Sequence, residues 1–241
     1  MEHTQTGTKR TELNMARSMC WHCQSEVTGE YFCDRCVKVQ PLSKESDYFT
    51  CLGLPRLLSI DADALEQRFY EMSRAFHPDF FQVKTEAERA ISLANSALLN
   101  TAYRTLKDPI QRAEYLVGLE SGSVKDIRST PPADLFEEIL SLQEDLEEYR
   151  TAVSEGSLDG LSHLESKLEK DKQSLQQRQQ EIEAQLRTLF GRWDALVQTH
   201  SNATSSQESK QAVIKELREV LSHRTYVRNI VSDLTATLEA A

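Results

Sequence analysis

Apolar residues recur at helical spacing along most of this chain, and that periodicity constrains the fold more than any other feature. A first pattern over 62–76 and a second over about 86–107 each place apolar side chains on one helix face. The inward face of the first is expected to comprise Leu65, Phe69, Met72 and Phe76. That of the second is expected to comprise Ile91, Ala94, Leu98, Ala102 and Leu106. Strand-like alternation is not evident outside a short cysteine-bearing segment, so the sequence predicts an all-α fold.

Three longer helical patterns fill the C-terminal half, over about 133–153, 159–200 and 208–240. The stretches EGSLDG and THSNATSS separate them and are typical of loops. Long amphipathic helices with short links predict an up-down-up three-helix bundle over 130–241. The second pattern is about twice as long as the first. We expect it either to break near Gly191 or to project beyond the bundle.

Charge and composition narrow the function. The chain of 241 residues has a net charge of −10, which argues against broad nucleic-acid binding because that needs a basic patch. No apolar run approaches the roughly 18 residues of a membrane span, so no membrane association is expected. Residues 1–19 are polar and aperiodic, which predicts disorder. These residues lack the apolar core of a secretory signal, and acidic residues interrupt what could otherwise be a mitochondrial presequence. We therefore expect a cytoplasmic location, with the mitochondrial matrix as the alternative.

Four of the five cysteines lie in a segment at 20–40, as CWHC, nine residues, then CDRC. Two such knuckles supply four thiolates for a tetrahedral metal site. We expect a structural zinc ion, with iron or unmetallated, redox-active thiols as alternatives. A segment this small buries little core, so the metal would supply its folding free energy. The expected ligands are Cys20, Cys23, Cys33 and Cys36, and His22 inside the first knuckle is not needed.

The stretch MSRAFHPDFFQVKTE joins the first two predicted helices. Pro78 ends the first helix because it disfavours the α conformation at His77. Proline explains the turn but not why a histidine and Asp79 flank it. Upstream lies DYFTCLGL, and downstream lies LLNTAYRTLKDPIQRAEYL. Together these motifs, over 47–115, resemble the J-domain of J-type co-chaperones.

Two further stretches are DPIQRAEYL and the acidic helix LFEEILSLQEDLEE. They resemble the corresponding stretches of the HscB family, the J-type co-chaperones of iron–sulfur cluster assembly. The resemblance implies a J-domain helical hairpin at 45–120, a C-terminal three-helix bundle at 130–241 and a zinc-ribbon-like module at 20–40. It extends over nearly the whole chain from Cys20 but is weak over 155–210. Phe80 departs from many relatives, which have a basic or polar residue there.

The resemblance implies that His77, Pro78 and Asp79 contact a 70-kDa heat-shock-class chaperone of the HscA or DnaK type and trigger its ATP hydrolysis. Arg68 and Arg74 lie off the buried face of the preceding helix. They would steer the chain towards an acidic chaperone surface, unless they are ordinary solvated charges. The chain itself has no phosphate-binding glycine loop and no nucleophile–base set, so we expect it not to be an enzyme.

The resemblance also implies that the bundle binds a client, an IscU-type iron–sulfur scaffold. The matching positions are Leu135, Phe136, Leu140, Glu144 and Tyr226. The three apolar residues at 135–140 lie within about one and a half turns. They cannot all face the core if Ile139, Leu142 and Leu146 do, which predicts an exposed apolar patch; ordinary core positions are the alternative.

Three functional hypotheses follow. The first is a co-chaperone, monomeric or weakly dimeric, that couples the scaffold to the chaperone. The second is a general J-type co-chaperone with a different client. The third is a zinc-ribbon nucleic-acid-binding protein with a helical tail.

Overall fold

The computed structural model describes residues 18–27, 31–42, 46–122, 130–156, 160–199 and 204–240. Most of the predicted disordered stretch 1–19 lies outside the described residues. Within the described residues, seven α-helices dominate, and the predicted all-α fold is confirmed. A short antiparallel pair, β1 (Ser18–Met19) and β2 (Glu26–Val27), accompanies the first cysteine knuckle. None of the described helices combines the length and the apolar character that a membrane span needs.

Five of the helices follow the predicted patterns closely. Two 3₁₀ turns, Pro78–Phe81 and Ala133–Leu135, precede the third and fifth helices of the chain. The helices are α1 (Tyr48–Cys51), α2 (Ala62–Phe76), α3 (Glu86–Lys107), α4 (Pro109–Ser121), α5 (Phe136–Glu155), α6 (Leu161–Gln198) and α7 (Thr204–Glu239). The Asp108 carboxylate accepts the N–H groups of Ile110 and Gln111 and so caps α4, whose first residue is proline.

One compact unit comprises Met1–Gly53 and Ala62–Arg104. In it α2 and α3 run antiparallel. At one end the Ser92 hydroxyl donates a 2.6 Å hydrogen bond to the carbonyl of Phe76, and at the other the rings of Phe69 and Tyr103 stack 4.2 Å apart. Phe69 is half-buried, whereas the rest of the predicted α2 face is fully buried.

The predicted inward face of α3 is partly wrong. Ala94 is exposed, whereas Ser92 and Asn95 are buried. Helical spacing placed the apolar residues inward, but a polar side chain is readily buried when it finds hydrogen-bond partners. Ser92 bonds the α2 carbonyl described above, and Asn95 bonds the backbone of Gln40 and of Leu42. The difference is confined to the first part of α3, where Leu99 is also fully buried, whereas Ala102 and Leu106 are fully buried as predicted.

The second compact unit comprises Leu54–Asp61 and Thr105–Ala241. Helices α5, α6 and α7 form the predicted three-helix bundle, and α4 also packs on α7. Of the two alternatives for the long second pattern, a break near Gly191 is wrong, because α6 continues through it. A glycine costs a helix only about 1 kcal/mol, and the neighbouring Phe190 and Trp193 are buried.

The compact units divide the chain differently from the predicted domains, whose assignment stays a prediction. The cysteine segment belongs to the first unit together with α2 and most of α3. The loop 54–61 and α4, placed within 45–120 by sequence, belong to the second unit. The contacts within that unit explain this: α4 packs on α7, and Trp193 of α6 donates a 2.7 Å hydrogen bond to the carbonyl of Arg56.

Candidate functional site

The four sulfur atoms of the cysteine segment converge on one point. They lie within 4.8 Å of one another, and the Cys20–Cys36 and Cys23–Cys33 pairs are each 3.6 Å apart. A tetrahedron with zinc–sulfur bonds of about 2.3 Å has sulfur–sulfur distances near 3.8 Å, so the arrangement fits such an ion. Four protein ligands leave no open coordination position. The geometry therefore suits a structural metal site and not a catalytic one.

Two tight turns build this cluster. The N–H of Gln24 donates to the carbonyl of Cys20, and the N–H of Val37 donates to that of Cys33, at 3.0 and 2.8 Å. Gln24 and Val37 both have a φ of 58°, in the left-handed region that normally favours glycine. For the β-branched Val37 this conformation is strained, and such strain persists only where the surrounding structure enforces it.

Hydrogen bonding favours thiolate, the form of cysteine that binds metal. The Ser25 hydroxyl lies 2.9 Å from the sulfur of Cys23 and 3.3 Å from that of Cys33. With the backbone N–H of Cys36 as a second cause, this hydroxyl lowers the pKa of Cys33 to about 6. The same hydroxyl lowers the pKa of Cys23. Burial raises the pKa of Cys36 to about 12, and a bound cation would favour its thiolate form.

The His-Pro-Asp bend lies in solvent between α2 and α3. Burial of Phe76 fixes the end of α2, and His77 then caps the 3₁₀ turn. The N–H of Asp79 donates to Nδ1 of His77 at 3.4 Å, and the Asp79 carboxylate lies 3.5 Å from the same nitrogen. The His77 and Asp79 side chains are nevertheless 50% and 69% exposed. The bend therefore presents an imidazole and a carboxylate together to solvent.

The two arginines of α2 differ in environment. Arg74 is exposed, as expected. The side chain of Arg68 instead donates to the Tyr31 hydroxyl at 3.1 Å and to the Leu52 carbonyl at 3.3 Å, and it pairs with Glu71. The Arg68 side chain is nevertheless 41% exposed, so its guanidinium is shared between its own unit and solvent, and its role at the chaperone contact stays a prediction.

The predicted apolar patch exists at the start of α5. Phe136 and Leu140 are 54% and 46% exposed, whereas Ile139 and Leu142 are buried. Leu135, in the 3₁₀ turn before α5, is half-buried, and Glu144 on α5 is exposed. Tyr226 is half-buried on α7, and its place in the patch stays a prediction. The crowding of apolar residues at the start of α5 is thus resolved by exposing two of them.

Sequence reasoning missed the residues that join the cysteine segment to α3. Asn95 donates to the carbonyl of Gln40 and accepts the N–H of Leu42, both at 2.9 Å. Lys38 pairs with the buried carboxylate of Glu88 at 3.0 Å. The only available signal was the sequence TEAE at the start of α3, which is a capping box in which Glu88 also bonds Thr85.

Two antiparallel helices joined by an exposed His-Pro-Asp bend, followed by a helical bundle, define a J-type co-chaperone. No established family profile matches the chain. The chain is 35% identical over 125 residues to the co-chaperone protein HscB of Proteus mirabilis, a match covering 52% of this chain and 71% of that protein. It is 35% identical over 105 residues to the mouse iron-sulfur cluster co-chaperone protein HscB. This chain therefore belongs to the HscB co-chaperone family.

The mouse match covers 42% of this chain and spans less than half, 45%, of the mouse protein. The crystal structure of human co-chaperone protein HscB aligns over 91% of this chain and 98% of its own with a TM-score of 0.60. At 20% sequence identity this likeness shows that the fold is shared.

Proposed function

We propose that this chain binds a 70-kDa heat-shock-class chaperone of the HscA or DnaK type, stimulates its ATPase, and delivers to it an IscU-type iron–sulfur scaffold. The reacting groups of ATP hydrolysis belong to the chaperone. The observation that carries the proposal is the exposure of His77 and Asp79 at a bend whose backbone is fixed on both sides. A contact loop held in one conformation loses little conformational entropy when it binds.

The exposed charge beside the bend supports an approach of the chaperone from this side. Arg74 is exposed on the last turn of α2, directly before the bend. A cation there suits an acidic chaperone surface and raises the association rate more than the affinity. Arg68, whose side chain is 41% exposed, would add to this charge, and it also holds α2 to Tyr31 and Leu52 and so supports the helix that carries the bend.

The client surface lies at the start of α5. Phe136 and Leu140 supply exposed apolar area, and Glu137, Glu138 and Glu144 surround it with exposed carboxylates. Over 134–155 the sequence has eight acidic residues and one basic residue, Arg150. An apolar centre with a charged rim is the usual plan of a specific protein interface, and the acidic rim selects a basic partner surface. Leu135 and Tyr226 would extend the patch.

Zinc is the metal that we propose for the four-cysteine cluster. Cys20, Cys23, Cys33 and Cys36 would hold it as thiolates, and the bound ion would cross-link the two knuckles. The cluster then belongs to a module, 20–40, that supports a J-domain at 45–120, and the bundle at 130–241 carries the client. The alternative is a general J-type co-chaperone with a different client. The bend and the α5 patch come from different parts of the sequence, so the chaperone contact does not determine which client the patch binds.

The direct test is single-turnover ATP hydrolysis by the purified chaperone, with this chain, with the scaffold, and with both. We expect each alone to raise the rate and both together to raise it more than the sum of the two. Stimulation by this chain that does not respond to the scaffold would support the alternative client. No stimulation by this chain would contradict the proposal.

A further inference from the structure

The second knuckle belongs to a short two-stranded segment, residues 31–40, which we call the knuckle ribbon. The N–H of Gln40 donates to the carbonyl of Tyr31, and the N–H of Cys33 donates to that of Lys38, both at 2.9 Å. The side-chain amide of Gln40 lies 3.4 Å from the sulfur of Cys20 and donates to it. The ribbon carries two cysteines and bonds a third, so its conformation is tied to the cluster.

Tyr31, at the start of the ribbon, contacts α2 in two ways. Its ring meets that of Phe76 edge to face, with centroids 5.3 Å apart and an interplanar angle of 78°. Its hydroxyl accepts a 3.1 Å hydrogen bond from Arg68. Phe76 is fully buried, ends α2 and directly precedes His77. Tyr31 therefore contacts the residue from which the His-Pro-Asp bend begins.

The ribbon also contacts α3, on the other side of the bend. Asn95 of α3 bonds Gln40 and Leu42, as described above, and Lys38 bonds Glu88 in the first turn of α3. The carbonyl of Phe76 accepts hydrogen bonds from Ser92 and Ser96 of α3 at 2.6 and 3.0 Å. The two helices that flank the bend are thus both bonded to one ribbon.

We infer that Tyr31 is a positioning residue for the His-Pro-Asp bend, through which the metal-loaded cysteine cluster fixes the conformation that the bend presents. The inference rests on the proposed function, in which the bend contacts the chaperone. The ring of Tyr31 limits where Phe76 can lie, and Phe76 sets the direction in which His77 leaves α2. An edge-to-face aromatic pair contributes enough to change the population of the held conformation roughly two- to tenfold.

The test compares Tyr31→Ala, Tyr31→Phe and a control, Leu93→Ala, in the full chain loaded with zinc. Leu93 lies on α3, outside the cysteine cluster and the ribbon, and is 64% exposed. Deuterium uptake by the peptide covering 77–82 is measured by mass spectrometry, beside the half-maximal concentration for ATPase stimulation. We expect Tyr31→Ala to raise the uptake and to raise the half-maximal concentration roughly two- to tenfold. Leu93→Ala should resemble the wild type, and Tyr31→Phe, which keeps the ring but loses the hydrogen bond from Arg68, should change less than Tyr31→Ala.

Removal of zinc with a chelator completes the cycle. In the wild type, chelation should increase deuterium uptake over 77–82 by as much as the Tyr31→Ala substitution does. In Tyr31→Ala, chelation should increase uptake little further, because both changes release the same contact. Unchanged uptake in Tyr31→Ala, or equal increases on chelation in both proteins, would overturn the inference. If Tyr31→Ala fails to bind zinc, Tyr31→Leu replaces it under the same criteria. Uptake needs no chaperone, so a wild type that fails to stimulate ATPase overturns the proposed function separately.

Discussion

Asp194 of α6 accepts a 2.6 Å hydrogen bond from the backbone N–H of Leu58, 136 residues earlier in the chain. Its second oxygen accepts the N–H of Ser59 at 2.8 Å, and the aspartate is buried. These bonds hold the loop 54–61 to the bundle within the second compact unit. A single carboxylate thereby satisfies two backbone donors that would otherwise lack partners.

Replacing Asp194 with Ala should lower the free energy of unfolding by about 3 kcal/mol, because two hydrogen bonds to a charged acceptor are lost. Urea unfolding followed by circular dichroism measures the change. The control is Arg192→Ala, which removes an ion pair with Glu216 between side chains that are 48% and 46% exposed. That pair should contribute less than about 1 kcal/mol. Equal losses in both variants would show that the loop contact contributes little.

The cluster should bind one metal ion per chain, and Cys33→Ser should reduce the metal content to near zero. Three remaining thiolates cannot complete the closed tetrahedral site, and the cluster has no spare cysteine within it. Elemental analysis of the purified protein measures this content. Cys51→Ser is the matched control, since burial raises the pKa of the Cys51 thiol to about 11 and the residue lies outside the cluster. Full metal content in Cys33→Ser would contradict the assignment.

Glu88 provides a pH-dependent prediction. Burial by itself would raise the pKa of Glu88, but hydrogen bonds from Thr85 and the charge of Lys38 lower it below its ordinary value of 4.5. A lowered folded-state pKa contributes stability above that ordinary value, and the contribution is lost as pH falls through the folded-state pKa. Glu88→Gln keeps the capping-box geometry but removes the charge. The variant should therefore be less stable than the wild type near pH 7, by about 1 kcal/mol.

The difference between wild type and Glu88→Gln should shrink as the pH is lowered below 4.5, and urea unfolding at several pH values measures it. Glu86→Gln, which changes an exposed acid in the same helical turn, is the control and should show little difference at any pH. A difference for Glu88→Gln that is independent of pH would contradict the ion pair with Lys38.

The double variant Phe136→Ser, Leu140→Ser should weaken scaffold binding by about tenfold or more, since exposed apolar anchors at the centre of an interface carry much of its binding energy. Both side chains are about half exposed, so thermal stability should change little. Isothermal titration with the purified scaffold measures the Kd. Leu93→Ser, at a residue 64% exposed on α3, should leave scaffold binding unchanged. Unaltered binding by the double variant would place the client surface elsewhere.

Hydrophobic periodicity and helix-ending residues predicted the helices well, because both signals depend only on residues close together in the sequence. The bounds of α2 and α3 match the predicted 62–76 and 86–107, and Asp108-Pro109 marks the junction of α3 and α4. The apolar patch on α5 was also predictable, since Phe136 and Leu140 exceed what one helix face can bury. The spacing of the four cysteines in two knuckles likewise predicted that their sulfur atoms lie close together.

Polar contacts between distant residues were not predictable in the same way. Asn95 is buried because of Gln40 and Leu42, Arg68 is engaged because of Tyr31, and Asp194 is buried because of a loop far earlier in the chain. Helical spacing ranks such residues as surface positions, because it does not include the partners that satisfy them. The break considered at Gly191 failed for a similar reason. Intrinsic propensity disfavours glycine in a helix, but packing of the neighbouring residues maintains α6 there.

The central claim is that His77 acts at the chaperone contact and not in holding the fold. The most direct measurement is single-turnover ATP hydrolysis by the chaperone in the presence of His77→Gln, with His163→Gln, another exposed histidine, as the control. We expect the helical content of both variants to equal that of the wild type. Stimulation should be lost in His77→Gln and retained in His163→Gln. Normal stimulation by a folded His77→Gln variant would contradict the account.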